Sequence, residues 1–238
     1  AVVPWLAAAL WAAGALAGFG MLALALLRLG RLTARATPAE PRRWLPLLDD
    51  VKDSRTARRH VRLLVTTELD VPATWGVWQP VILLQATSRH WVDTTARVVL
   101  AHELAHVKRH DWVVQFGAEC LKALYWWNPL FWITCRRLQR ESERACDDDV
   151  LHTGVQAAAY ARCVMQFARE ARHSRTPGWP GAMPIARPPA LERRITAMLN
   201  LRTNRTPLSR GLTAVAIALA TLVVVPGATL RLSSAQAH

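Results

Sequence analysis

The chain has 238 residues, of which 52% are hydrophobic and 20% charged, and it carries a formal net charge of +13. Mean hydropathy of +0.10 beside so basic a composition means that apolar blocks alternate with arginine-rich ones. That segregation excludes a disordered chain, a disulfide-built miniprotein and a purely soluble nucleic-acid binder.

All basic residues except Lys52, Lys108 and Lys122 are arginines, a bias that genome composition alone can produce. The four cysteines, Cys120, Cys135, Cys146 and Cys163, lack CxxC spacing and read as reduced, buried thiols. The chain begins with Ala and shows no charged leader followed by a cleavage site, so it reads as a processed form or a fragment.

From Ala1 to Leu27 no residue is charged, and about 20 apolar residues cross a hydrocarbon core of roughly 30 Å. A transmembrane helix is expected over residues 1–29. A second is expected over 210–232, with Gly211 to Leu230 between Arg210 and Arg231. Arg28, Arg31, Arg35, Arg42 and Arg43 follow the first span, and Arg202, Arg205 and Arg210 precede the second. By the positive-inside rule both flanks face the cytoplasm, the basic surface lies against anionic lipid headgroups, and the tail 233–238 is extracytoplasmic.

Residues 30–59 read as a basic, Pro-rich linker, and 60–209 as a cytoplasmic domain. His60 to Thr67 and Thr74 to Gln85, rich in Val, Ile, Leu, Thr and Trp, read as strands. Pro80 predicts an edge position for the second, free to pair with a substrate or with a second copy in a homodimer. A helix is expected from Asp93, with Asp93 or Thr94 as N-cap, through His110. Residues 112–135 are open to three readings: a third span, an interfacial helix or a core helix. Further helices are expected over Arg136–Leu151 and Gln156–Arg172, then a loop from Pro177 to Pro189.

The sharpest feature is His102-Glu103-Leu104-Ala105-His106, an HExxH motif inside the predicted helix. Residues i and i+4 share a helix face about 5–6 Å apart, so both imidazoles reach one Zn2+ ion. Glu103, about 100° round the helix, is placed to act as general base on a metal-bound water. Composition alone yields such a pattern with a chance on the order of 0.01.

A catalytic zinc needs a third protein ligand and one open position. A third histidine six residues on would have to stand where Trp112 is, with glycine where Arg109 is, so that arrangement is excluded. Glu143 and Asp147, one turn apart, offer instead a ligand and a carboxylate to orient a ligand histidine. Glu141 points about 200° away from Glu143.

The chain resembles the BlaR/MecR-type membrane metallopeptidases. Four stretches carry the resemblance: Gln79 to Leu84, Leu100 to Asp111, the turn Trp127-Asn128-Pro129-Leu130, and Glu141 to Val150. The resemblance implies a mainly α membrane protein with a gluzincin-like α+β metallopeptidase domain between transmembrane helices, on the cytoplasmic side of the cell membrane. It implies His102, His106 and Glu143 as zinc ligands and Glu103 as base. The related CAAX-protease and HtpX-type enzymes share the HExxH plus ExxxD pattern, which supports Asp147 behind the ligands. Regulated proteolysis is implied, by self-cleavage or cleavage of a cytoplasmic transcriptional repressor. No lysine has Ser three residues before it, so β-lactam recognition is not implied.

Substrate is expected to pair with Val81, Ile82, Leu83 and Leu84, and the oxyanion to meet Tyr160, His152 or an arginine. A non-catalytic transducer with a structural metal and a membrane quality-control protease are the competing readings. No RNP, zinc-finger or helix-turn-helix pattern accompanies the positive charge, so direct nucleic-acid binding is not expected.

Overall fold

The computed structural model describes residues 2–52, 56, 59–173 and 188–200. The expected second span and tail, and the loop between 177 and 187, lie outside the described residues.

The uncharged opening stretch forms helix α1, Val2–Arg35. Among the described residues it is the one helix long and apolar enough to cross a membrane, and most of that surface is not covered by protein. Its last turns carry Leu29, which is buried against the sheet. The structure then departs from a plain linker: strand β1, Thr37–Pro38, precedes helix α2, Pro41–Val51. Pro41 sits in the first turn, where a missing N–H costs nothing, and Trp44, Leu47 and Leu48 are buried.

Two strands expected over 60–85 become three, β2 (Arg62–Thr66), β3 (Ala73–Trp75) and β4 (Val81–Gln85). The chain reverses after β3 at Gly76, whose φ of +93° suits glycine. Sheet order is β1-β2-β4-β3, with β4 parallel to β2 and antiparallel to β3. β4 is therefore interior, and the expectation of an edge strand at Val81–Leu84 is corrected. Pro80 stands one residue before the strand, so its missing N–H removes no ladder bond, while its carbonyl accepts from Arg62 N at 2.9 Å.

The unbroken apolar run of β4 reflects burial on both faces. Ile82 and Leu84 join Val65, Trp44, Leu48, Val99, Leu100 and Leu104 in the main core. Val81 and Leu83 turn to the opposite face with Leu64 and Leu29.

Helix α3, Asp93–Arg109, lies as expected, although Val92 rather than Asp93 or Thr94 is its N-cap. His110 ends it in the left-handed region, φ 58° and ψ 32°, and the chain enters helix α4, Asp111–Leu124. A single span over 112–135 is thereby overturned, because four residues separate α4 from helix α5, Pro129–His152. Asn128 accepts from Leu130 N at 3.0 Å and Pro129 occupies the first turn, an ordinary helix start. Helices α6, Ala157–His173, and α7, Pro188–Leu199, complete the described chain. The expected proline loop thus ends where Pro188 and Pro189 open α7.

Candidate metal centre

Helix periodicity places His102 and His106 one above the other on α3, with ring centroids 4.9 Å apart. α5 packs across α3 and brings Glu143 between them. His102 Nε2 lies 3.7 Å from Glu143 Oε2, and His106 Nε2 lies 3.4 Å from Glu143 Oε1. One ligand atom from each of the three lies within 4.8 Å of the others, a set able to hold a metal ion.

The chemistry of the donors fits a borderline-soft divalent cation with nitrogen and oxygen ligands. Buried Glu143 Oε2 makes no hydrogen bond, which suits an atom directed at a metal. Arg194 Nη1 approaches it to 2.7 Å without hydrogen-bond alignment.

The far nitrogens are held as metal-binding imidazoles require. His106 Nδ1 donates to Asp111 Oδ2 at 2.9 Å. His102 Nδ1 is 2.9 Å from the Tyr160 hydroxyl, which donates to Asp147 Oδ1 at 2.6 Å. Asp147 itself is 3.4 Å from the ring, so Tyr160 bridges the two. Arg194 of α7 grips both Asp147 oxygens, Nε to Oδ2 at 2.9 Å and Nη2 to Oδ1 at 2.7 Å. This fork ties the orienting carboxylate to Glu143.

Charge follows the geometry. Burial opposes ionisation of Glu143, but Arg194 and the two histidines outweigh it and hold the carboxyl well below its ordinary range. Burial likewise opposes protonation of His106, yet Cys146, Asp111 and Glu143 raise its affinity for a proton well above the usual. Cys146, whose Sγ is 3.3 Å from His106 Nδ1, is fully buried, and burial pushes its thiol up to about 12. Of the other three cysteines, none of them in a disulfide, none is fully buried.

Glu103 stands beside the three converging residues, not among them, and accepts from Thr74 Oγ1 of β3 at 2.6 Å. A cavity of about 140 Å³ opens in front of it, walled by His102, His106, Glu143, residues 71–75, α4, and Leu22, Leu26 and Leu29 of α1.

Of the expected oxyanion partners, Tyr160 is buried beside His102 and Glu103, with its hydroxyl given to Asp147. His152 is exposed at the end of α5, nine residues beyond Glu143 or roughly 13 Å along the helix. Val81 to Leu84 are fully enclosed within the sheet and cannot receive a strand; of the two edge strands, β1 and β3, it is β3 that borders the cavity. Glu141 is exposed near Arg144, and His110 is exposed against Arg59.

Sequence reasoning missed Asp111 and Arg194. Asp111 was within reach, being the first residue after the helix break that follows His106. Arg194 is one arginine among many, brought in by a helix that no motif announces.

A family described as BlaR1 peptidase M56 matches residues 2–198, which include every residue of this centre. The chain belongs to that family. The regulatory protein BlaR1 of Bacillus licheniformis is 30% identical over 127 residues, 53% of this chain and 21% of that protein. The methicillin resistance mecR1 protein of Staphylococcus aureus is 26% identical over 95 residues, 40% of this chain and 16% of the relative. The matched segment thus spans about a fifth of the length of these relatives. M56 membership makes the mostly helical fold with its small mixed sheet a metallopeptidase domain of BlaR/MecR type.

Proposed function

We propose that this M56 chain is a membrane-bound zinc endopeptidase that acts in regulated proteolysis and transmembrane signalling. The observation that carries the reading is the meeting of His102, His106 and Glu143 at one point, with Glu103 alongside and held by Thr74. His102 Nε2, His106 Nε2 and a Glu143 oxygen would hold Zn2+, which when bound supplies a water acidified to a pKa near 7 and a Lewis acid for the scissile carbonyl.

The chain's own residues supply the remainder. Glu103 takes the proton of the attacking water and passes it to the leaving amine. Asp111, and Asp147 through Tyr160, keep each ligand ring turned toward the metal. The sheet edge at β3 is the place for an extended peptide to align. Arg28, Arg31 and Arg35 at the end of α1 support, by the positive-inside rule, a cytoplasmic side for this domain, against anionic lipid. A cytoplasmic repressor or the chain itself is the substrate class of this reading. The β3 edge also admits a second copy of the chain.

The test is purified full-length protein in detergent, assayed for bound zinc and for self-cleavage fragments. Glu103→Gln should abolish fragments while zinc content stays at the parent level. Fragments from that variant would overturn the assignment of Glu103, and a zinc-free parent would overturn the metal.

A further inference from the structure

From the contacts of α1 with the α4–α5 pair we infer that this helical hairpin is re-entrant: it enters the bilayer from the cytoplasmic side, turns within it at Tyr125–Asn128, and returns. The inference rests on the reading of α1 as a membrane-crossing helix. The hairpin tip does not meet α1 near its charged end. It meets it deep in the uncharged stretch, where Trp11 Nε1 donates to Leu124 O at 3.0 Å and Trp126 Nε1 donates to Trp11 O at 3.2 Å. Gly14 and Gly18 make the approach possible, since a Cβ on Gly14 would strike the Trp126 ring and one on Gly18 would come within 2.9 Å of Ala123 Cβ. Trp11 stands about 25 Å along α1 from Arg28, at roughly 1.5 Å per residue. A helix crossing a hydrocarbon core of about 30 Å therefore carries the tip in with it.

The surface of the hairpin agrees. Between Trp112 and Thr134 no exposed residue is charged, and Val113, Val114, Leu121, Trp127, Leu130 and Ile133 face outward. Glu119 and Lys122 pair with each other, Lys122 also lies over the Trp132 ring at 5.1 Å, and Glu119 with Gln115 and Gln139 turns to the cavity. Ionisable groups inside a membrane behave in this way, paired and turned from lipid.

The turn is also satisfied from within, as non-helical backbone in lipid must be. Tyr125 N bonds to Leu121 O at 2.9 Å and Asn128 N to Tyr125 O at 2.9 Å. Trp126 O accepts from Trp132 Nε1 at 2.9 Å, and Asn128 caps α5. Exposed Arg136 and Arg137 stand two turns into α5, with stems long enough to carry their charged heads toward the headgroups. The consequence for the centre is that its cavity, walled by α1 and α4, is open to peptide segments lying at the inner membrane surface.

The test is cysteine labelling of full-length protein in oriented vesicles, with the parent as background. Trp127→Cys should resist a membrane-impermeant maleimide from either side and react with a permeant one. Labelling from the cytoplasmic side by the impermeant reagent would show a hairpin outside the bilayer, and labelling from the opposite side would show two full crossings; either overturns the inference. Val3→Cys and Trp78→Cys control for α1. If both label from the same side, the crossing by α1 fails, an outcome separate from the hairpin's.

Discussion

Asp111 and Arg194 act on the centre without facing it, and both are testable by substitution. Asp111 fixes the His106 ring, so Asp111→Ala should weaken zinc binding about 10–100-fold, measured by chelator competition. Arg194 neutralises two buried carboxylates, and its loss leaves them facing each other. Arg194→Met should lower the melting midpoint more in protein stripped of metal than in loaded protein, because bound zinc takes over part of the neutralisation. Equal losses in both forms would reduce Arg194 to ordinary packing. Buried Cys146, with its thiol raised to about 12, should stay unalkylated until the protein unfolds. His102, Glu103, His106 and Glu143 are legible in the sequence because helix spacing converts directly into geometry. Tyr160 is not: it stands 13 residues after Asp147 and 58 after His102, on another helix, with no motif to reveal it as the bridge between them.

Among the elements, α3 and α6 follow their periodicity closely, whereas the sheet does not. Thr74 to Gln85 looks like one strand because Trp75, Val77 and Trp78 continue its apolar, β-prone character. Trp78 is in fact 95% exposed at the reversal, and only the backbone of Gly76 decides the break. The interior place of β4 makes it costly to disturb: Leu83→Ala should destabilise the fold by about 2–5 kcal/mol in urea unfolding. On β3, Thr74→Val keeps a good strand residue and removes the hydrogen bond to Glu103, so turnover should fall while zinc content is unchanged. The α2 helix is masked in the sequence by its prolines, yet Trp44 and Leu48 recur one turn apart, and that spacing seats the helix in the main core.

At the level of the whole molecule, the metal centre joins helices that are far apart in the chain: α3 and α5 supply the ligands, α4, α6 and α7 the groups that hold them. β3 contributes only three residues to the open edge of the sheet, beside the cavity. So short an edge offers an incoming chain no more than a couple of main-chain bonds, each contributing about 1 kcal/mol. A grip that weak does not discriminate among sequences in dilute solution. Selection then falls to local concentration: what is cut is whatever is tethered within reach, and a partner released from its anchor escapes with its chemistry unaltered.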